Sequence, residues 1–326
     1  MWDDLIELVN SHERFLVTTH IHPDGDAVGT EIGLGLFLEQ LGKAALLVDA
    51  DPVPAFFRFL DPDGRLRAYE AERDDPAIAA CDAAIVVDAG EPARIGSVAK
   101  AIERAGLPVA CIDHHPTSKG FGHVDVLVPT AASTASLVLD LIRTMGHTPS
   151  QPIAEALFAG LATDTGWFRF SNAGPEAFRD AAELVAAGAR PLRVYEAAYE
   201  SHSAARMRLL GLALADLKTE CDGRLVWASI TREMFESTGA TDAEVDRFVD
   251  SLRQVGTAEI IILFREPPEG GTRVSLRAKH DADVAALAAR FGGGGHRAAA
   301  GITLDTPLHT SIATLLPAAR ALLNDE

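Results

Sequence analysis

The chain has 326 residues, of which 48% are hydrophobic and 23% charged, and its formal net charge is −18. Length and apolar content suffice for two domains with their own cores. The acidity excludes a broad polyanion-binding surface, because long nucleic acid is held mainly by phosphate contacts.

The first apolar run, residues 15–18, reads as a buried strand. Directly after it, Thr19-His20-Ile21-His22-Pro23-Asp24-Gly25-Asp26 crowds imidazoles and two carboxylates into a turn held by Pro23 and Gly25. Acids so close repel and are costly to desolvate unless a cation neutralises them. His with Asp suits an Mn²⁺-like ion. Alone, the turn could be a solvated Asp-Gly loop, and His20-Ile21-His22 could be the H-x-H of a barrel metallohydrolase.

Next come a helical pattern over 27–41, a strand over 45–48, and a strand over 84–87 that delivers Asp88 before Ala89-Gly90. A helix over 94–105 leads to a strand over 109–112, which delivers Asp113-His114-His115. Helices over 134–145 and 153–161 follow, and Ala162-Thr163-Asp164-Thr165-Gly166 adds a further carboxylate. Gly42, Gly106 and Gly146 fall where helix C-caps belong. Alternation of this kind implies an α/β domain, a mostly parallel sheet with helices on both faces. Strand C-termini in such sheets converge on one crevice, so four separate segments can supply ligands to one point. Asp88 alone could cap a helix, His114 and His115 could be satisfied imidazoles, and Asp164 could hold a turn. Together they point to a metal site.

The pattern changes around residues 187–191. A helical stretch over 204–217 leads to strands near 225–230, 260–264 and 273–276, with Pro267-Pro268-Glu269-Gly270-Gly271 as the hairpin loop between the last two. A helix over 283–291 then meets a run of four glycines closed by His296. The expected organisation is a catalytic metal-binding domain over 1–188, a helical linker over 189–220, and a smaller α/β domain with a mixed sheet over 221–326. Residues 273–297 carry five Lys or Arg against two Asp, a local +3 in an acidic chain. Glycine N–H groups can approach an anion closely. With Arg277, Lys279, Gly293, Gly294, Gly295 and His296 they read as a phosphate grip.

His20-x-x-x-Asp24-x-Asp26, Asp88, Asp113-His114-His115 and Asp164 resemble the four motifs of the DHH phosphoesterase superfamily. Ser275-Leu276-Arg277-Ala278-Lys279 and Phe291-Gly292-Gly293-Gly294-Gly295-His296-Arg297-Ala298-Ala299-Ala300-Gly301 resemble the first type of DHH-associated domain. Order and spacing are similar to the nano-RNase and pAp phosphatase branch, over nearly the whole chain. That branch often has Asn where His22 and Ser118 stand, Glu at Ser136, Thr at Ala173 and Ser at Ala278, departures that bear on substrate preference.

The resemblance implies two divalent cations, Mn²⁺ ahead of Mg²⁺, Co²⁺ or Fe²⁺. One would take His20, Asp24 and Asp88; the other would take Asp26, Asp88, His114 and Asp164, with Asp88 bridging. It implies in-line hydroxide attack on phosphorus assisted by both metals. His115 would contact phosphate or protonate the leaving oxygen, and Asp113 would orient an imidazole. The site would lie in the interdomain cleft. Substrates would be short oligonucleotides or small nucleotides: nano-RNA, pApA, cyclic di-AMP or pAp. A RecJ-type exonuclease, an inorganic pyrophosphatase of the second family and a non-catalytic nucleotide sensor are the competing readings. The resemblance also makes a homodimer a reasonable expectation.

Cys81, Cys111 and Cys221 are dispersed and form no C-x-x-C pair, which points to a reducing compartment. Met1-Trp2-Asp3-Asp4 lacks the basic start of a signal peptide, and no apolar run reaches 18 residues. A cytoplasmic protein without a membrane partner is expected.

Overall fold

The computed structural model describes residues 1–245 and 247–324, and the chain divides into two compact units, Met1–Ser201 and His202–Glu326. The first unit carries six strands, β1 (Arg14–Thr18), β2 (Ala44–Asp49), β3 (Arg67–Ala68), β4 (Ala83–Val87), β5 (Val109–Asp113) and β6 (Val124–Leu127). All pair in parallel in the order β3-β2-β1-β4-β5-β6. The short outer strands β3 and β6 carry no long apolar run, so they are silent in the sequence.

Period-two alternation sorts the strand side chains to two cores. Phe15, Val17, Ile85, Val87, Ala110 and Ile112 face one, and Leu16, Ala84, Val86 and Cys111 face the other. Both faces are covered by helices, which explains why these strands read as continuous apolar runs. The strand order reverses between β1 and β4, and a ligand crevice opens at such a switch point. The segments after β1 and β4 carry His20 and Asp88.

On the larger face, helix Gly25–Gln40 is buried along most of its length against helix Gln151–Asp164. A Cβ at Gly29 would lie 2.4 Å from the Ala156 carbonyl oxygen, so the two backbones approach too closely for any side chain there. This contact brings Asp26, near the start of one helix, toward Asp164, the last residue of the other. The helix expected from residue 94 starts at Ser97 instead, because Gly96 at φ 56° breaks the chain after a 3₁₀ turn, Pro92–Ile95.

The second unit has a mixed sheet of β7 (Lys218–Glu220), β8 (Leu225–Ile230), β9 (Ile260–Arg265), β10 (Thr272–Ala278), β11 (Gly294–His296) and β12 (Ala299–Leu304), ordered β11-β12-β10-β9-β8-β7. Among the described residues of this sheet, only β8 and β9 pair in parallel. Helices Val284–Ala289 and Leu308–Asn324 lie on one face, and helices Ala204–Ala215, Arg232–Thr238 and Phe248–Leu252 on the other. Among the described residues, no helix is long and apolar enough to cross a membrane.

Candidate metal centre

Three loops and one helix end bring the acids and imidazoles of the first unit together. Ligand atoms of His20, Asp24 and Asp88 lie within 4.8 Å of one another, and so do those of Asp26, His114 and Asp164. His114 Nε2 stands 3.7 Å from Asp88 Oδ1, 3.8 Å from Asp26 Oδ2 and 3.6 Å from Asp164 Oδ2, so Asp88 touches both groups.

The imidazole tautomers decide what this cluster can hold. His20 Nδ1 is 2.8 Å from the Ile21 carbonyl oxygen and His114 Nδ1 is 3.3 Å from that of Ala131. A carbonyl only accepts, so Nδ1 carries a proton in both rings and Nε2 is the atom turned to the acids. His20 Nε2 stands 3.3 Å from Asp88 Oδ2. In the neutral ring that nitrogen offers its lone pair to a cation shared with the carboxylates. Second-atom hydrogen bonds of this type also orient metal-ligating histidines. The donor set of oxygens and imidazole nitrogens suits a divalent ion.

Electrostatics agree. Asp88 is 1% exposed, and burial first, then Asp26 and Asp24, push its carboxyl well above the ordinary range. Burial also raises Asp26. Asp164 is pushed up to about 8 by burial and by the charges of Asp26 and Asp24. Among the described residues, no lysine or arginine pairs with any of these acids; their ion-pair partners are the histidines. Asp88 also holds φ 59°, a left-handed backbone that costs a non-glycine residue energy and is tolerated where a site demands it.

His115 is arranged differently. Its Nδ1 donates to Asp113 Oδ1 at 2.7 Å, while Ser118 Oγ donates to the other Asp113 oxygen. Burial raises Asp113, but these two bonds, the His115 N–H and the His115 charge together hold it below its ordinary value, and the Asp113 bond raises the His115 imidazole. His22, also at positive φ, turns away: its ring is 88% exposed and its Nδ1 lies 3.1 Å from Asp51.

Several supporting residues were not singled out from sequence. Thr134 Oγ1 donates to Asp88 Oδ1 at 2.8 Å, and the Thr134 and Ala135 N–H groups donate to the two oxygens of Asp26 at 2.7 and 3.0 Å. Thr30 Oγ1 adds a bond of 3.0 Å to Asp26. Asn172 Nδ2 donates to Asp164 Oδ2 at 3.1 Å and to the Ala132 carbonyl at 2.8 Å. Asp24 caps helix Gly25–Gln40 through the N–H groups of Asp26 and Ala27. Ser136, at the start of helix Thr134–Thr144, has a buried hydroxyl without a hydrogen-bond partner among the described residues.

In the second unit the glycine run is not a free loop. Gly294, Gly295 and His296 form edge strand β11, and the N–H groups of Gly292 and Gly293 donate back to Ala289 and Ala288 at the end of the preceding helix. Arg277 pairs with Asp250 at 3.1 Å, and Lys279 Nζ donates to the Val255 carbonyl. An open cavity of about 380 Å³ lies along Gly292–Gly294, Ser275 and Thr303 and includes Arg265 and Arg273. Arg273 there pairs with Asp242 and Glu269.

Comparison with known proteins matches the family description "DHH family, N-terminal domain" over residues 14–161 and "DHHA1 domain" over residues 223–325. The chain is similar to the bifunctional oligoribonuclease and PAP phosphatase NrnA of Thermus thermophilus, 36% identical across 88% of this chain and 83% of that protein. The Bacillus subtilis protein of the same name is 24% identical across 93% of both. Among solved structures, an exopolyphosphatase-related protein from Bacteroides fragilis matches with a TM-score of 0.92 at 25% identity, covering 99% of this chain and 95% of that one.

Proposed function

The chain belongs to the DHH family of metal-dependent phosphoesterases, and we propose that it hydrolyses phosphate esters of short nucleotides, from pAp and pApA to RNA of a few residues. One observation carries this reading. Two histidines donate through Nδ1 to backbone carbonyls and turn Nε2 toward carboxylates that no lysine or arginine among the described residues pairs with. His20, Asp24 and Asp88 would hold one divalent cation, and Asp26, Asp88, His114 and Asp164 a second, with Mn²⁺ the fitting ion. Bound there, the cations would neutralise the phosphoryl oxygens and acidify water.

The protein's own groups do the rest. Asp113 fixes the His115 ring through Nδ1 and favours its protonated form, so Nε2 can donate a proton to the leaving oxygen. Thr134 and Thr30 hold Asp88 and Asp26 in place. In the second unit, Arg277, Lys279, Gly293, Gly294, Gly295 and His296 would bind the substrate's other phosphate. The net charge of −18 with one basic stretch supports a grip on few phosphates.

Incubation with Mn²⁺ and pApA should yield AMP, with rates falling for RNA beyond roughly five nucleotides and a shallow salt dependence. Processive digestion of long single strands would replace this reading with a RecJ-type exonuclease. Binding of pApA without any turnover would replace it with a nucleotide sensor.

A further inference from the structure

Helix Gln151–Asp164 ends at a cluster residue, and the chain then does something unusual: Gly166, Trp167 and Phe168 take left-handed φ values of 56°, 58° and 62° in succession. Bulky residues rarely adopt this conformation, and each such residue costs energy that the surroundings must offset. The offset is visible. Trp167 packs edge-on against Phe158, Tyr195 and Tyr199, and Phe168 packs against Phe158 and Phe178. Asn172 closes the segment by bonding back to Asp164 itself.

The third aromatic of the turn has no such place. Phe170 is 47% exposed, whereas Trp167 and Phe168 are half-buried against the core. Its ring lies on the Gly166 backbone, where an added Cβ would come within 2.4 Å of Phe170 Cζ. Gly166 is thus required twice, for its φ and for the ring above it, and it is two residues from Asp164. The Arg169 guanidinium stands 6.0 Å from the ring centroid and is itself fixed by Nε donating to the Gly166 carbonyl at 2.7 Å. A flat aromatic face held rigidly beside an arginine, on a segment tied at both ends to the metal cluster, has the composition of a nucleobase platform.

We infer that Phe170, with Arg169 beside it, stacks on a nucleobase of the substrate next to the phosphate being cleaved. This rests on the short-nucleotide reading above. It assigns base recognition to the catalytic unit and leaves only phosphate contacts to the second.

The test compares wild type with Phe170→Leu, Phe170→Ala and Phe170→Tyr on pApA and on the same diphosphate lacking its bases. Leucine keeps the apolar bulk and loses the π-face, whereas tyrosine keeps it. KM for pApA should rise about tenfold or more in the leucine and alanine variants, the size of one lost stack, and stay near wild type with tyrosine. KM for the abasic compound should be equal in all four proteins, and metal content should not change. Calorimetric titration with AMP gives the same ranking without turnover. A protein that binds AMP through Phe170 yet cleaves nothing therefore overturns only the functional reading. Equal AMP affinity in wild type and Phe170→Leu, or an equal loss on the abasic compound, overturns the stacking inference.

Discussion

Replacing Asp88 by Asn should make the metal-free protein more stable while destroying its activity. The exchange is nearly isosteric. Asn tolerates the left-handed φ of 59° at this position, and its side-chain oxygen can still accept from Thr134 Oγ1. What it removes is a buried charge whose ligand atom lies within 4.8 Å of that of Asp24, a repulsion of about 3 kcal/mol at an effective dielectric of 20. Desolvation adds to the cost of the wild-type carboxylate, and attraction to the His115 imidazole offsets part of it. A gain of about 2–4 kcal/mol at pH 8 in EDTA is expected, or about 5–10 °C in the melting of a unit this size. The sign follows from linkage. The folded-state pKa of Asp88 is raised, so the native state binds the proton more tightly than the unfolded chain, and stability falls as pH rises toward and through that value. At lower pH the carboxyl protonates in the unfolded chain as well, and the advantage of Asn should shrink toward zero. Excess Mn²⁺ should reverse the order, because only the wild type binds it in full. Thermal melts at pH 5 and 8, with EDTA or Mn²⁺, give all four comparisons. A variant less stable than wild type at pH 8 in EDTA would show that the metal-free fold already neutralises Asp88. Near wild-type turnover in saturating Mn²⁺ would refute the bridging role.

The two adjacent histidines should separate cleanly. His114→Ala, which deletes an Nε2 atom facing three acids, should lose metal, whereas His115→Ala should keep its metal content and slow turnover; equal metal loss in both would mean the roles are misassigned. Asn172→Ala should weaken metal binding about tenfold with the helical circular dichroism unchanged, since it removes a donor to the Asp164 carboxylate; unchanged affinity in a metal titration would reduce Asn172 to closing its own turn.

Strands β1, β2, β4 and β5 were legible because strands buried on both faces must be apolar throughout, and each acid or imidazole that follows one marks where the apolar run stops. Edge strands β3 and β6 carry no such signal, and helix Ala71–Ala79 has its pattern broken by Pro76 among charged and small residues. The glycine run carries a signal that two demands can produce. Four glycines suggest an open, anion-binding loop, yet Gly293 is small because a Cβ there would lie 2.3 Å from the Gly301 carbonyl oxygen. Close strand approach and close ligand approach demand the same residue, and sequence does not distinguish them.

The supporting hydrogen bonds were hidden for a different reason. Thr134 meets Asp26 across 108 residues of chain, and it does so because helix Thr134–Thr144 starts where helix Gly25–Gln40 begins. In sequence, Ser133-Thr134 is an ordinary helix start, and its capping chemistry is fully explained by its own helix. Only docking turns the same N–H groups outward onto a carboxylate from another element. That arrangement sets a limit on what the acids alone can do. Asp26 spends three hydrogen bonds on Thr30, Thr134 and Ala135, so it is aimed before any cation arrives. A cluster of repelling acids stays in register in the metal-free fold because neutral donors of the surrounding helices and the histidines, with no lysine or arginine among the described residues, hold it there. Neutral donors aim the carboxylates without neutralising them, which leaves that part to a divalent ion.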